Sequence, residues 1–133
     1  MMPMTWIKAF AATGLTMFAL DMLWLGVLAK SFYARHLATL LRPEVKWAPA
    51  LLFYVLYIAA VVAFVVMPAA ERKSLAYALG MGGFFGLVAY ATYDLTSFAL
   101  IRDFPLTVVI VDLAWGMVLT TVVSGAGYWA ASR

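Results

Sequence analysis

The sequence predicts an all-α protein, a four-helix transmembrane bundle of antiparallel spans. Three observations carry this expectation. The 133 residues are 67% hydrophobic and only 11% charged, with a mean hydropathy of +1.00, whereas a soluble domain carries about 25% charged residues. The apolar residues gather into four continuous runs, each long enough to cross a hydrocarbon core at ~20 residues per span. None of the runs alternates with period two, so helices rather than barrel strands are expected.

One integral-membrane domain, residues 1–133, accounts for the whole chain, with spans at Trp6–Leu28, Ala48–Met67, Ala76–Ile101 and Leu106–Trp129. The first run has a weak positively charged start and is too long for a signal peptide. Asp21 interrupts it, and the GVLAKS exit lacks small residues at both cleavage positions, so an uncleaved span is expected. The first connection, Ala29–Trp47, is long, and its SFYARHLATLL portion places apolar residues at helical spacing. A short interfacial helix ending before Pro43 follows. The second connection, Pro68–Leu75, carries Glu71, Arg72 and Lys73. The third is the tight turn Arg102-Asp103-Phe104-Pro105, with Pro105 suited to the first turn of span four. Trp6, Trp47 and Trp129 fall at span ends and read as interfacial anchors.

Charge excludes some partners and leaves orientation open. The net charge of +3 and pI near 9.3 come from Lys and Arg scattered singly or in pairs at span ends, with no basic stripe. Nucleic acid is therefore not an expected partner; a bilayer with anionic headgroups is. Lys8, Arg72, Lys73 and Arg133 fall on one side and Lys30, Arg35, Arg42, Lys46 and Arg102 on the other. Adding the N-terminal amine evens the split, so the positive-inside rule does not choose. Both termini are placed in the cytoplasm on prior expectation alone.

The absence of cysteine removes disulfides, thiol catalysis and cysteine-ligated metals. No phosphate loop, zinc-ligand pair, nucleophile elbow or haem-attachment motif occurs, and His36 is solitary, so no metal or cofactor is expected. Span three is rich in small residues, including Gly82-x-x-x-Gly86, and span four has the stripe Gly116, Thr120, Ser124, Gly127. Such stripes let backbones approach, so spans three and four are expected to pack tightly. The alternative use is contact with a ligand or a second copy of the chain.

The chemistry concentrates on three aspartates inside apolar runs, Asp21, Asp94 and Asp112. A carboxylate at mid-membrane costs ~2.5–3.5 kcal/mol on insertion scales, and such residues are functional candidates by default. Antiparallel threading fixes their depth. Asp21 and Asp94 lie near the ends of odd spans and Asp112 near the start of an even one, which puts all three ~9–11 Å inside the same interface. Tyr54 reaches that depth from span two. Helical spacing aligns Thr13, Met17, Asp21 and Trp24 on span one. On span three it aligns Gly83, Gly86, Tyr90, Asp94 and Ser97; on span four, Asp112, Trp115, Gly116 and Thr120. Tyr93 and Thr96 lie beside the Asp94 stripe. Two aspartates also share a pattern, Asp21-x-x-Trp24-x-Gly26 and Asp112-x-x-Trp115-Gly116, which hints at an internal repeat in spans that run oppositely.

No Lys or Arg lies within the spans at that depth, although Lys30, Arg35 and Arg102 are near the correct surface. Three close carboxylates then require a proton on at least one of them or a bound cation.

At these residues the chain resembles a bacterial family of small, four-span integral-membrane proteins of unknown function. The resemblance covers nearly the whole chain. It rests on Asp21-Met-Leu-Trp24-Leu-Gly26, Trp47-Ala-Pro49-Ala-Leu-Leu-Phe53-Tyr54, Tyr90-Ala-Thr-Tyr93-Asp94-Leu-Thr96-Ser97, Arg102-Asp-Phe104-Pro105 and Val111-Asp112-Leu-Ala-Trp115-Gly116. It implies a helical protein of the bacterial inner membrane and carries no activity with it.

The preferred functional expectation is a protein that binds or conducts a small ligand, proton or cation. Asp21, Asp94 and Asp112 form its site, with hydrogen bonds from Tyr54, Tyr90, Tyr93 and Ser97 and apolar walls from Trp24 and Trp115. One alternative is an embedded enzyme acting on a lipid or isoprenoid, with one aspartate as acid and another as base. A second is an accessory subunit whose polar layer locks the bundle through interhelical hydrogen bonds. Whether the protein is an enzyme stays open at this point.

Overall fold

The computed structural model describes residues 3–41 and 44–133. Four helices are long and apolar enough to cross a membrane: Pro3–Leu28, Trp47–Arg72, Leu75–Leu100 and Leu106–Ala131. No strand occurs among the described residues, and the architecture is an all-α bundle. In chain order the elements are α1 (Pro3–Leu23), α2 (Lys30–His36), α3 (Trp47–Val61), α4 (Met67–Arg72), α5 (Leu75–Leu100) and α6 (Leu106–Ala131). Two π-helical turns interrupt the spans. Trp24–Leu28 completes the first, and Val62–Val66 joins α3 to α4 in the second.

The inward faces follow the helical spacing of the sequence. Ala9, Thr13, Met17 and Asp21 are the buried residues of α1; Gly82, Gly83, Gly86, Asp94 and Ser97 are among those of α5. α6 lies at the centre, packed along its length on α5 and along much of α1. Small residues set that spacing. A Cβ on Gly86 would run into the carbonyl oxygen of Gly116, and one on Gly82 would lie 2.8 Å from both Ser124 Cβ and the Thr120 carbonyl oxygen. The stripes of spans three and four are thus a seam of close backbone approach, with dispersion contacts and not water driving the association.

Span two differs from expectation. It continues through Pro68 to Arg72 instead of ending at Met67. A proline inside a helix removes one hydrogen bond and crowds the carbonyl four residues back. The π turn just before it loosens that part of the ladder, with Met67 N–H bonded to the Val62 carbonyl. The true connection is short: Lys73 takes the left-handed conformation (φ 51°), and the Ser74 side chain caps α5 by accepting from Tyr77 N–H at 3.0 Å. The third connection also turns through a left-handed residue, Asp103 (φ 61°), and Pro105 precedes the first residue of α6 instead of sitting within its first turn.

The interfacial helix of the first connection is seven residues long, ends at His36 and gives way to turns over 37–41; Arg42 and Pro43, where its end was expected, lie outside the described residues. This helix folds back onto the bundle. Leu37 packs with Phe104, Val108 and Val109, and Phe32 and Tyr33 lie against the same cluster. α2 therefore roofs the bundle on the side of the first and third connections. On the opposite side the first turns of α1 meet the residues after α6, with Lys8 Nζ donating to the Arg133 carbonyl at 3.3 Å. Trp6, Trp47 and Trp129 are exposed at span ends, as interfacial anchors are.

Candidate functional site

The polar residues occupy one layer beneath α2. Asp21 to Leu28, Asp94 to Leu100, Leu106 to Asp112 and Trp47 to Tyr54 are each six or seven residue steps of helix, so one polar group from every span reaches a similar depth. At 1.5 Å per residue this is ~9–11 Å from the helix ends.

Within that layer the carboxyl groups have three different surroundings. Asp21 is buried and accepts at both oxygens, from Tyr54 Oη at 2.6 Å and from Trp115 Nε1 at 3.2 Å. These two bonds tie span one to spans two and four. Asp112 is half-buried and accepts at Oδ1 from the hydroxyl of Tyr33, which itself accepts from Trp24 Nε1 at 3.2 Å. Asp94 is fully buried, and neither of its oxygens has a hydrogen-bond partner among the described residues. Its carboxyl neighbours that of Asp112. Two carboxylates are both acceptors, so a bond between them needs a proton on one.

The two tryptophans join these sites. Their rings stack with centroids 4.4 Å apart and planes 7° from parallel. Trp115 bonds Asp21, the aspartate of the other motif, and Trp24 reaches Asp112 through Tyr33. The DxxW echo of spans one and four is thus a reciprocal pairing between two antiparallel helices.

Beside the stack lies a cavity of about 540 Å³. Asp21, Asp112, Trp24 and Trp115 form its inner wall, Tyr33 and Leu37 its roof. Ala50, Phe53 and Tyr54 of α3 face Ala89, Tyr90 and Tyr93 of α5 across it. Phe53 and Tyr93 line the cavity and are also half exposed on the outer surface (49% and 55%), so it opens sideways between α3 and α5 toward the acyl chains. Its floor is closed. Tyr57 Oη and Thr120 Oγ1 share a hydrogen bond at 2.8 Å, and beneath them pack Met17, Val61, Val62 and Leu119, none more than 1% exposed.

Of the nine residues singled out from the sequence, Asp21, Asp112, Tyr54, Tyr90, Tyr93, Trp24 and Trp115 line this cavity. Asp94 stands behind Asp112, and Ser97 is buried away from the cavity wall. Tyr33 is the residue that sequence reasoning missed. Its signal was present: Tyr33 and Leu37 are four residues apart on the apolar face of SFYARHLATLL. Tyr33 lies outside the spans, and burial pushes its hydroxyl above the ordinary value of 10.0, with the bond to Asp112 and the charges of Asp112 and Asp94 acting in the same direction. The surface cations expected to reach down are engaged elsewhere or exposed; Arg35 Nε donates to the Ser31 carbonyl at 3.4 Å. His36 bonds the Phe32 carbonyl at 2.8 Å. Among the described residues no three His, Cys, Asp or Glu side chains are grouped to hold a metal ion.

Comparison with known proteins gives a family. The model of the family described as "Predicted membrane protein (DUF2177)" matches residues 6–129, and the chain belongs to that family. No curated protein and no solved structure matches it. Family and fold together make it an integral membrane protein with four apolar helices.

Proposed function

We propose that this member of the family is an intramembrane binding protein for a small amphiphilic molecule, which enters from the bilayer and sets its polar end against Asp112 and Asp21. The observation that carries this reading is the cavity: about 540 Å³, aromatic-walled, with two carboxyl groups at its inner end and a lateral mouth. Ligand sites are mostly apolar concavities of ~300–1,000 Å³ with a few convergent polar groups, and this one fits that description. The apolar floor of Met17, Val61, Val62 and Leu119 supports binding over conduction. The bonds from Tyr54 and Trp115 to Asp21 also lock three spans together, so that carboxyl group serves the bundle as well as the cavity.

One observation favours a second reading. Asp94 and Asp112 face each other, and such a pair has one carboxyl for acid and one for base work on a lipid held in the cavity.

The test uses the full chain in lipid nanodiscs and the neutral fluorescent amphiphile 1-aminoanthracene. Binding is expected to saturate above the partitioning seen in empty discs. Ala50→Phe and Ala89→Phe, which place a ring in the cavity without touching a polar group, should remove the saturable component while helicity is kept. Absence of saturation, or unchanged binding in both variants, overturns the reading.

A further inference from the structure

We propose that the cavity is selective for hydrophobic organic cations, an amine or quaternary ammonium, phosphonium or similar centre carried on an apolar body. This rests on the reading of the cavity as a ligand site and names the class of ligand it takes.

Three features point the same way. First, the wall is acidic and uncompensated. Asp21 and Asp112 line it, their hydrogen bonds come from neutral Tyr and Trp donors, and no Lys, Arg or His among the described residues lines the cavity. A third carboxyl, Asp94, lies directly behind Asp112, fully buried and with both oxygens unpartnered. Carboxyl groups in a poor dielectric are stabilised by an opposite charge within ~4–6 Å, and a cation in the cavity supplies it.

Second, the remaining wall is aromatic. Trp24, Trp115, Tyr54, Tyr90 and Phe53 offer rings on several sides of one space. A cation within ~6 Å of such a ring is attracted by its quadrupole, most strongly when desolvated. An anion meets the opposite sign from both the carboxyl groups and the ring faces.

Third, the geometry disfavours a bare metal ion. Calcium takes six to eight oxygens at ~2.3–2.6 Å and magnesium a near-ideal octahedron. Here Asp21 is bonded to Tyr54 and Trp115, apart from the Asp94–Asp112 pair, and no group of three acidic or His side chains converges among the described residues. The ligand that matches is a weakly hydrated charge on an apolar body, and the lateral mouth between Phe53 and Tyr93 admits it from the bilayer.

The test compares two probes of nearly the same shape and opposite charge, tetraphenylphosphonium and tetraphenylborate, as displacers of 1-aminoanthracene from the full chain in nanodiscs, each corrected for empty discs. Tetraphenylphosphonium is expected to displace the dye at concentrations at least about tenfold lower than tetraphenylborate, one decade being the smallest clear preference in binding free energy. Asp112→Asn and Asp21→Asn should each lower the ratio of the two displacing concentrations toward one. Because the charge preference is read in the unaltered protein, a variant that fails to fold does not remove the test. Equal displacement by the two probes, or preference for the borate, overturns the cation class and leaves the ligand cavity standing. No saturable binding of the dye or of either probe overturns both.

Discussion

Replacing Tyr33 by Phe isolates what holds the roof over the cavity. The ring stays, and with it the edge-on packing against Phe32 (centroids 5.2 Å, planes 79°) and Trp24 (6.5 Å, 76°). Only the hydroxyl goes. It donates to Asp112 Oδ1 and accepts from Trp24 Nε1 at 3.2 Å. A hydrogen bond to a charged group contributes about 1.5–3 kcal/mol and one between neutral groups about 0.5–1.5 kcal/mol. Together they hold α2 down by about 2–4.5 kcal/mol, beyond the apolar contact of Leu37 with Phe104, Val108 and Val109. At 1.36 kcal/mol per decade, opening of α2 becomes about thirtyfold to two-thousandfold more frequent in Tyr33→Phe.

Amide hydrogen exchange in nanodiscs reads this directly. The Tyr33 N–H bonds the Ala29 carbonyl at 3.1 Å and the Leu37 N–H bonds the Tyr33 carbonyl at 2.9 Å, so both amides report on the roof. Their protection should fall by that factor, while amides around Gly86 in the α5–α6 seam keep theirs. If roof protection changes by less than about threefold, under ~0.7 kcal/mol, the two hydrogen bonds do not hold α2 and the reasoning fails.

Three other outcomes follow from the same geometry. Gly86→Ala puts a methyl group onto the Gly116 carbonyl oxygen and should destabilise the bundle by at least about 2 kcal/mol, whereas Gly80→Ala, with nothing within 4 Å of the added atom, should be neutral or slightly stabilising; equal thermal shifts in detergent would remove the seam from the argument. Asp94→Asn supplies an amide donor to Asp112 and removes a buried carboxyl with no partner, so the melting temperature should hold or rise, by the equivalent of about 1 kcal/mol; a large fall would make the Asp94 carboxylate itself a structural requirement. The Tyr33 hydroxyl, raised in the folded state, contributes stability that is full below the ordinary value of 10.0 and is lost only as pH climbs through the higher folded value. The tyrosinate difference spectrum of wild type minus Tyr33→Phe should therefore be flat at pH ~10, and a titration centred there contradicts the buried bond to Asp112.

Much of the fold was legible because a bilayer imposes two strict rules, length and periodicity. Four runs of about 20 apolar residues could only be four spans, and a 3.6-residue period placed Thr13, Met17 and Asp21 on one face and Gly86, Asp94 and Ser97 on another, as the buried residues of α1 and α5 confirm. Antiparallel threading gave the depth of the polar layer for the same reason. Rotation about each helix axis was less legible. Depth alone does not say that Asp94 faces Asp112 while Asp21 turns to Tyr54 and Trp115, because that depends on which neighbours α6 takes on either side. The π turns left no mark either. WLGVL and VAFVV read as ordinary apolar helix, and without the second of them Pro68 looked like a terminus. Tyr33 escaped because the carboxyl it bonds, Asp112, is 79 residues away in the sequence, and a short loop helix does not announce what it folds onto.

The reciprocal pairing of the two DxxW motifs assigns the three aspartates different capacities. The two helices run antiparallel, so Trp115 reaches Asp21 across the pair while Trp24, stacked on Trp115, points toward Asp112. The symmetry is broken at one point. Trp115 reaches its carboxylate directly, while Trp24 stops short and Tyr33, from a seven-residue helix outside the bundle, completes the connection. Asp21 consequently has both oxygens occupied by donors built into the spans. Asp112 accepts at Oδ1 alone among the described residues, from a donor on the element with the least packing to hold it, and Asp94 accepts from none. If the proposed ligand site is correct, capacity to receive a visiting charge or donor rises from Asp21 to Asp112, and Asp94, which does not line the cavity, would act on a ligand only through Asp112. On the proposed reading of the cavity as a ligand site, loss of the Tyr33 bond would free the one Asp112 oxygen that the described residues engage.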